Sequence, residues 1–428
     1  MNLKKTTTLI LFAVIIFSKN SLAEDQYGQV DIHGFISQGY LQTDKNNYLA
    51  ETEDGTFQFN EMGINFTTDV TDRLRLGVQF FARDMGINGN DEIVVDWANA
   101  DYHWRDWLGV RIGKHKGFSG FFSATRDLDM LRTCILLPQS TYGELFRDAF
   151  SSYRGVEFYG RILLGRAGLL AYEFSVGEPN FSPDTGIAYA FKQAFSILNL
   201  EINNVKPSTT QAYRVTWYAP LAGFKIKSGW IEGKNTLISG SLNSALADRA
   251  GLTKFEYEYD FDSYFVSTEY QREKLSLIGE FLSGSMDGKW DLGLGYEDRP
   301  PRTFQGWYGA LNYDFSEFFK ASVSYSEFYP DVDNRHGKDV NPVTDYNTRL
   351  LLSNRKVFGN DFEAWLKTTT LSLRFDVNEY WLLKLEVAYN DGFGAYTSAE
   401  NPRKPDDPFV ADVDRYWFLY AAKVTYTF

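Results

Sequence analysis

Apolar and polar side chains alternate at every second residue over long stretches of this chain, a period that strands satisfy and helices do not. From Leu74 onward, Leu74, Leu76, Val78, Phe80 and Ala82 share one face, while Arg75, Gly77, Gln79 and Arg83 share the other. The pattern returns at Phe224, Ile226, Ser228 and Trp230 against Lys225, Lys227 and Gly229, and at Leu371, Leu373, Phe375 and Val377 against Ser372, Arg374 and Asp376. It closes the chain, where Tyr416, Phe418, Tyr420, Ala422, Val424, Tyr426 and Phe428 alternate with Trp417, Leu419, Ala421, Lys423, Thr425 and Thr427. Each such run is about 9 residues or longer, the length of a tilted strand crossing a bilayer.

The chain start explains why a membrane enters the argument. Lys4 and Lys5 precede an apolar stretch from Leu9 to Phe17, followed by Ser18, Lys19, Asn20 and then small Ser21 and Ala23. This reads as a secretory signal peptide over residues 1–23, its core too short for a spanning helix of about 20 residues. Cleavage after Ala23 would remove three lysines and no acid, taking the net charge from -13 to -16. Beyond that point no apolar run reaches spanning length, so a membrane reading of residues 24–428 requires a closed barrel.

Composition narrows the alternatives. Aromatic residues make up 17% and Gly 35 positions against 12 Pro, which suits pleated strands joined by turns and excludes a disordered or collagen-like chain. With 43 Lys plus Arg against 56 Asp plus Glu, there is no excess of cations for nucleic acid. Cys134 is the single cysteine, so no internal disulfide can form, and His33, His103, His115 and His336 stand too far apart in sequence to suggest a metal site. No Gly-x-Ser-x-Gly elbow occurs, so no enzyme and no cofactor is expected.

Connections alternate between short and long. Short turns are expected at Thr71 to Arg73, Arg105 to Asp106, Leu163 to Ala167, Ala219 to Gly223, Arg272 to Lys274, Ser316 to Glu317 and Asn378 to Tyr380. Long polar loops are expected at Gln42 to Gly55, Asp84 to Asp91, His115 to Ser152, Glu178 to Thr210, Gly233 to Asp260, Ser285 to Arg302, Asp331 to Phe362 and Gly392 to Ala411. The fold expected is all-β: a transmembrane antiparallel barrel of about 16 strands with both chain ends on the short-turn side. Phe255, Tyr257 and Tyr259 could begin a strand early or form a pair of their own, so 14 and 18 strands stay open. Gly284–Gly288 reads as a loop break. Trp104 with Trp107, Phe318 with Phe319, and Tyr380 with Trp381 flank turns, as interfacial girdles do.

The terminal Ala422-Lys423-Val424-Thr425-Tyr426-Thr427-Phe428 resembles the last strand of Gram-negative outer-membrane barrels. Tyr264–Arg272, Ser322–Asp331, Ser372–Asn378 and Trp381–Glu386 resemble segments of general-diffusion porins. The resemblance implies location in the outer membrane, contact with the lipid bilayer and lipopolysaccharide, and delivery through the barrel-assembly machinery by the last strand. It further implies a homotrimer whose third external loop folds into each lumen, and passive diffusion of small hydrophilic solutes and ions.

The segment 115–152 is the longest connection and the candidate constriction loop. Folding inward, it would bury Met130, Leu131, Ile135 and Leu136, and present Arg126, Asp127, Asp129, Arg132, Glu144, Arg147 and Asp148 to the passage. Strand parity places Arg75, Arg83, Arg111, Arg161, Arg214, Lys225, Lys227, Arg374 and Lys384 on the lumen wall. Acids facing a basic wall would set a transverse field that sorts solutes by charge, whereas the same groups paired with one another in a wide lumen would not. The basic wall favours anions or neutral polar solutes, and lumenal Phe81, Tyr159 and Tyr218 are too few for a sugar track. A substrate-selective anion or sugar channel, and a plugged structural or adhesive barrel, are the competing readings. Asp331, Asp333, Asp339 and Asp345, with Asp406, Asp407 and Asp412, could hold divalent cations at the lipopolysaccharide surface but lack an ion-binding loop's glycine and terminal Glu, so solvated loops are expected.

Overall fold

The computed structural model describes residues 28–86, 89–117, 119–181, 183, 186–340, 356–394 and 401–428. The expected signal peptide and Asp345 lie outside them, and so does the side chain of Asp148. The strands in chain order are β1 (Val30–Thr43), β2 (Phe59–Thr71), β3 (Leu74–Met85), β4 (Val94–Arg105), β5 (Leu108–Lys116), β6 (Ser152–Leu163), β7 (Leu169–Pro179), β8 (Leu200–Lys206), β9 (Thr210–Tyr218) and β10 (Phe224–Leu242). They continue with β11 (Phe255–Arg272), β12 (Leu275–Asp291), β13 (Tyr296–Asp314), β14 (Phe319–Tyr329), β15 (Leu366–Asp376), β16 (Trp381–Gly392), β17 (Arg403–Lys404), β18 (Asp407–Ala411) and β19 (Tyr416–Thr427).

All but β17 and β18 form one antiparallel sheet, and β1 pairs with both β2 and β19, which closes it. Strands β8 and β9 occupy a single position: β10 pairs through Leu237–Leu242 with β8 and through Lys225–Gly233 with β9. Pro207 interrupts that stave, having no N–H for the ladder. The barrel therefore has 16 positions. All seven expected short turns gather at one end.

Alternation sets the two faces. Along β19, Tyr416, Phe418, Tyr420 and Val424 are exposed while Trp417, Leu419, Ala421, Lys423 and Thr425 are buried. Ile32 and Ile36, Phe158 and Ile162, Tyr264 and Val266, and Leu385 and Tyr389 repeat this outward apolar set around the barrel. At the short-turn end Trp104 meets Trp107 with ring centroids 5.4 Å apart, and Trp381 meets Tyr426 at 4.9 Å. A solute-like exterior would be charged. This one is a hydrocarbon-facing belt with aromatic rims.

The long-loop end departs from expectation in three places. β11 starts at Phe255 and runs unbroken to Arg272, because Phe255, Tyr257, Tyr259 and Phe261 turn inward while Glu256, Glu258 and Asp260 turn out. Ser285 to Arg302 is not a loop: β12 and β13 continue to a four-residue connection at 292–295. There Asp291 Oδ1 accepts the N–H groups of Gly293, Leu294 and Gly295 at 2.8, 3.1 and 2.9 Å, with both glycines at positive φ (+103° and +104°). Gly288 sits at a bulge opposite the Pro300-Pro301 pair rather than in a break. Finally, Glu178 to Thr210 is not a polar loop. It carries α2 (Gly186–Ala194), follows the one-turn α1 (Arg147–Phe150), and packs inward, as does α3 (Ala245–Ala250) in the next connection.

Two large apolar clusters result, with a smaller third of Leu137, Tyr142 and Tyr308. One joins Ala188 and Leu198 of the fourth long loop (L4, 180–199) and Ala247 and Leu252 of the fifth (L5, 243–254) to Ile231, Ile238, Phe255, Tyr259 and Phe261 of the wall. The other lies across the barrel around Leu41, Phe59, Ile135, Leu145, Phe393 and Trp417.

Candidate functional site: the third loop across the lumen

β5 delivers the chain into the third long loop (L3, 117–151), and β6 takes it back to the wall. Between them L3 crosses the lumen and is fastened at separate parts of the barrel. On the β15, β16 and β19 side, Lys384 Nζ donates to Asp129 O at 2.7 Å and Cys134 O at 3.0 Å, and Arg374 Nη1 donates to Met130 O at 2.5 Å. Lys423 Nζ stands 2.7 Å from Asp129 Oδ2 and 2.5 Å from Glu61 Oε2 of β2. Glu386 accepts the Ile135 and Leu136 N–H groups at 2.7 and 3.2 Å. On the β11–β13 side, Glu280 accepts from Phe121 N–H at 3.0 Å, Tyr142 Oη at 2.7 Å and Ser267 Oγ at 2.5 Å, and from Tyr308 Oη. Arg147 joins Glu61 at 2.9 Å and also Asp127, whose other partner is Lys116. Arg83 joins Glu144 at 2.9 Å.

This arrangement inverts part of the expectation. Asp127, Asp129, Glu144 and Arg147 are buried, and the Arg132 side chain is only 7% exposed, bonded to Asp129 at 3.0 Å. They hold L3 on the wall and do not face the passage. Met130 and Leu131, expected to be buried, are 41% and 54% exposed, whereas Ile135 is buried. The reason lies in what the wall offers: lumenal strand faces here carry Lys, Arg and Glu, which L3 meets with complementary charge and backbone groups. Of the six whose side chains are described, Arg126 alone borders an open cavity, while its Nη2 binds Glu144 at 2.7 Å and Tyr142 O at 2.6 Å.

Burial tends to raise the Asp129 carboxyl, but Lys423, Lys384 and Arg132 outweigh it and hold it well below the carboxylate range. Burial, with Glu280 and Glu386 nearby, has the opposite effect on neutral groups: Tyr142 is pushed well up and stays a donor, and the Cys134 thiol is pushed up to about 11.

The expected basic wall is in place by parity but is not an unopposed cation surface. Arg111 pairs with Asp101 at 2.8 Å and Glu157 at 2.7 Å, and lies over the Tyr159 ring at 4.1 Å. Arg214 binds Glu157 and, at 3.0 Å, Glu173; its Nη1 donates to Gly117 O at 2.7 Å. Lys225 pairs with Glu269 at 2.5 Å over the ring of Phe121, and Arg374 with Asp376 at 2.7 Å. Half-buried Lys227 lies in the field of Arg214, Glu173 and Glu280. Arg75 and Arg161 differ: both are exposed near the short-turn mouth. Arg75 is 3.9 Å from Asp69, and Arg161 makes no ion pair among the described residues. The groups missed from sequence are the partners Glu61, Asp96, Asp101, Glu157, Glu173, Glu280, Glu386 and Lys423. The parity that placed the cations also places these acids inward, so the signal was present.

No family model matches this chain, and no curated relative matches its sequence. Solved structures do resemble it. OmpT, an outer membrane protein of Vibrio cholerae, aligns over 96% of this chain and 100% of its own, with TM-score 0.54 and 10% identity. OmpF of Salmonella typhi, solved with daunomycin, aligns over 93% and 97%, with TM-score 0.54 and 13% identity. The anion-selective porin of Comamonas acidovorans aligns over 94% and 99%, with TM-score 0.50 and 10% identity. These likenesses cover nearly the whole barrel: the chain has the closed 16-stranded antiparallel fold of the outer-membrane porins.

Proposed function

We propose that the protein is an outer-membrane porin of a Gram-negative bacterium, a water-filled channel for passive diffusion of small hydrophilic solutes and ions. The observation that carries this reading is a closed barrel with an apolar exterior and a charged interior, across which L3 is fastened by ion pairs at Asp129 and Glu61. A narrowed aqueous lumen passes solutes by size first. Because most wall cations are buried with carboxylate partners, charge preference falls to the short-turn mouth, where Arg161 has no ion pair among the described residues and Arg75 has only the exposed, 3.9 Å contact with Asp69, with anions favoured. As with Vibrio cholerae OmpT, which has a trimer form, the assembly proposed is a homotrimer in the bilayer beneath lipopolysaccharide. The C-terminal strand ending in Phe428 would be the handle for the barrel-assembly machinery.

Planar bilayers test the reading. The purified protein is expected to give steady ohmic steps, and absence of current at any voltage would make it a plugged barrel. In a salt gradient, the double change Arg75→Glu and Arg161→Glu is expected to move the reversal potential toward cation preference. An unmoved potential would remove the mouth cations from the selectivity account.

A further inference from the structure

We propose that the long-loop vestibule is a binding site for solutes that carry a flat apolar body and one anionic group, such as aryl-alkanoates. The proposal rests on the channel reading above and deepens it by naming a substrate class. A cavity of about 1580 Å³ opens between L3, L4, the inner faces of β10–β13 and the described parts of the seventh long loop (L7; 330–340 and 356–365). It exceeds the roughly 300–1,000 Å³ of a usual small-molecule site.

Its wall is unlike the rest of the lumen. Phe150 and Phe191 come from the loops, and Tyr257 and Trp290 from the strands; between them stand Ile187, Ile197 and Leu282. Phe191 and Tyr257 have ring centroids 5.3 Å apart, so they form one continuous aromatic surface. Aromatic faces accept flat apolar bodies with ring offsets of this order. The cavity also carries Ser119, Gln139, Thr141 and Asn334, so a sugar is the comparison that tests the preference.

The charge at the edge selects the sign. Arg302, on the inner face of β13, is exposed, makes no ion pair among the described residues, and acts on the Tyr257 hydroxyl together with Arg299. Arg299 lies over the Trp290 ring at 3.9 Å, while Trp290 Nε1 donates to Glu297 at 3.3 Å. The cavity is also lined by the acids Asp331, Asp333 and Asp339 of L7 and Asp407 of the last loop, and by Lys338, while Lys356 is paired with Asp361, so the cation that stands next to the aromatic surface without an ion pair among the described residues is Arg302. A carboxylate placed at Arg302 thus gains a charge-assisted bond beside the aromatic surface. A general-diffusion lumen has no use for this surface. An affinity site at the entry raises the local concentration of a scarce solute.

The probe is 4-phenylbutyrate, with butyrate, 4-phenylbutylamine and maltotriose as comparisons. Each is titrated calorimetrically into the detergent-solubilised full-length protein and, separately, added to the long-loop side of a bilayer while current is recorded. Phenylbutyrate is expected to bind at least about 10-fold more tightly than butyrate or the amine, and to reduce the current over the same concentration range. Arg302→Ser is expected to weaken phenylbutyrate about 10-fold and leave the amine unchanged, which is the scale of one bond to a charged group. Tyr257→Leu is expected to weaken both aryl probes alike. Equal binding of acid and amine, no effect of Arg302→Ser, or tighter binding of maltotriose would overturn the proposal. Because calorimetry needs no conduction, a barrel that binds phenylbutyrate but carries no current would overturn the porin reading and leave the site standing.

Discussion

L3 and L4 both fold into the barrel and both press apolar side chains on the wall, L3 with Ile135 and Leu145 beside Leu41 and Phe59, yet only L3 adds an ionic fastening. L3 is held by buried ion pairs and by carboxylates that accept its backbone N–H groups: Asp129 with Lys384 and Lys423, Glu386 with Ile135 and Leu136, Glu280 with Phe121 and Tyr142. L4 is held by rings and aliphatic side chains, with Phe191 and Phe195 against Phe255 at 5.5 and 5.0 Å. The difference follows from the wall beneath each loop. L3 crosses the bilayer-spanning part of the barrel, where the inner faces are charged. L4 lies against the extensions of β10–β13 above it, whose inner face is apolar. An ionic fastening is directional and fixes one position. An apolar one is tolerant and lets the loop shift without large cost.

The largest test removes the hub of the ionic fastening. Asp129→Ala leaves Lys384, Lys423 and Arg132 buried without their shared carboxylate, at a cost of about 3–5 kcal/mol. L3 is expected to detach locally, with noisier single-channel current and faster maleimide labelling of the part-buried Cys134. Quiet current and an unchanged labelling rate would show that Glu280 and Glu386 suffice. Next in size, Phe255→Ala takes the ring from between Phe191 and Phe195 and costs about 3 kcal/mol. Protease nicking of L4 is expected to rise while Cys134 labelling stays unchanged. Joint release of both loops would mean they act as one unit, contrary to the comparison drawn here.

The two loops also differ in how far sequence exposes them. Period two is a strong signal, and it located the strands, the turns and the lipid-facing side because hydrocarbon rejects any polar side chain. The inward fold of L3 was legible from its length and from Ile135 and Leu136. Its fastening was not, because parity tells which way Glu61, Glu280 or Lys423 points but not which loop atom will meet it. L4 was hidden for a different reason. Ile187, Phe191, Phe195 and Leu198 have the spacing of an amphipathic helix, but a barrel template assigns everything between strands to solvent. The same template cut β11–β13 short by treating strand beyond the bilayer as loop.

A smaller effect is expected from salt. The L3 pairs are buried, so raising ionic strength to about 1 M, where the screening length is about 3 Å, should leave Cys134 labelling unchanged. Arg75 and Asp69, exposed and 3.9 Å apart, are screened under those conditions, so charge preference should fade while the open-channel current stays quiet. Noise that grows with salt would place water inside the Asp129 cluster.

The smallest effect is also the most direct reading of how dry that fastening is. Burial pushes the Cys134 thiol up to about 11 from an ordinary value of 9.0, so its thiolate at pH 8 is about 100-fold scarcer than that of an exposed cysteine. Labelling should be slow at pH 8 and climb about 10-fold per pH unit toward pH 10. The sign for stability follows: a thiol whose folded value is raised favours the folded loop below pH 9, and that contribution is lost as pH rises from 9 to 11. L3 is therefore expected to loosen in alkali, and L4, seated through Phe191 and Phe195 on Phe255, is expected to stay nick-resistant over the same interval. Labelling at pH 8 as fast as for a free thiol would mean that water reaches the underside of L3, and that the ionic fastening works in a wet gap where its pairs are worth far less.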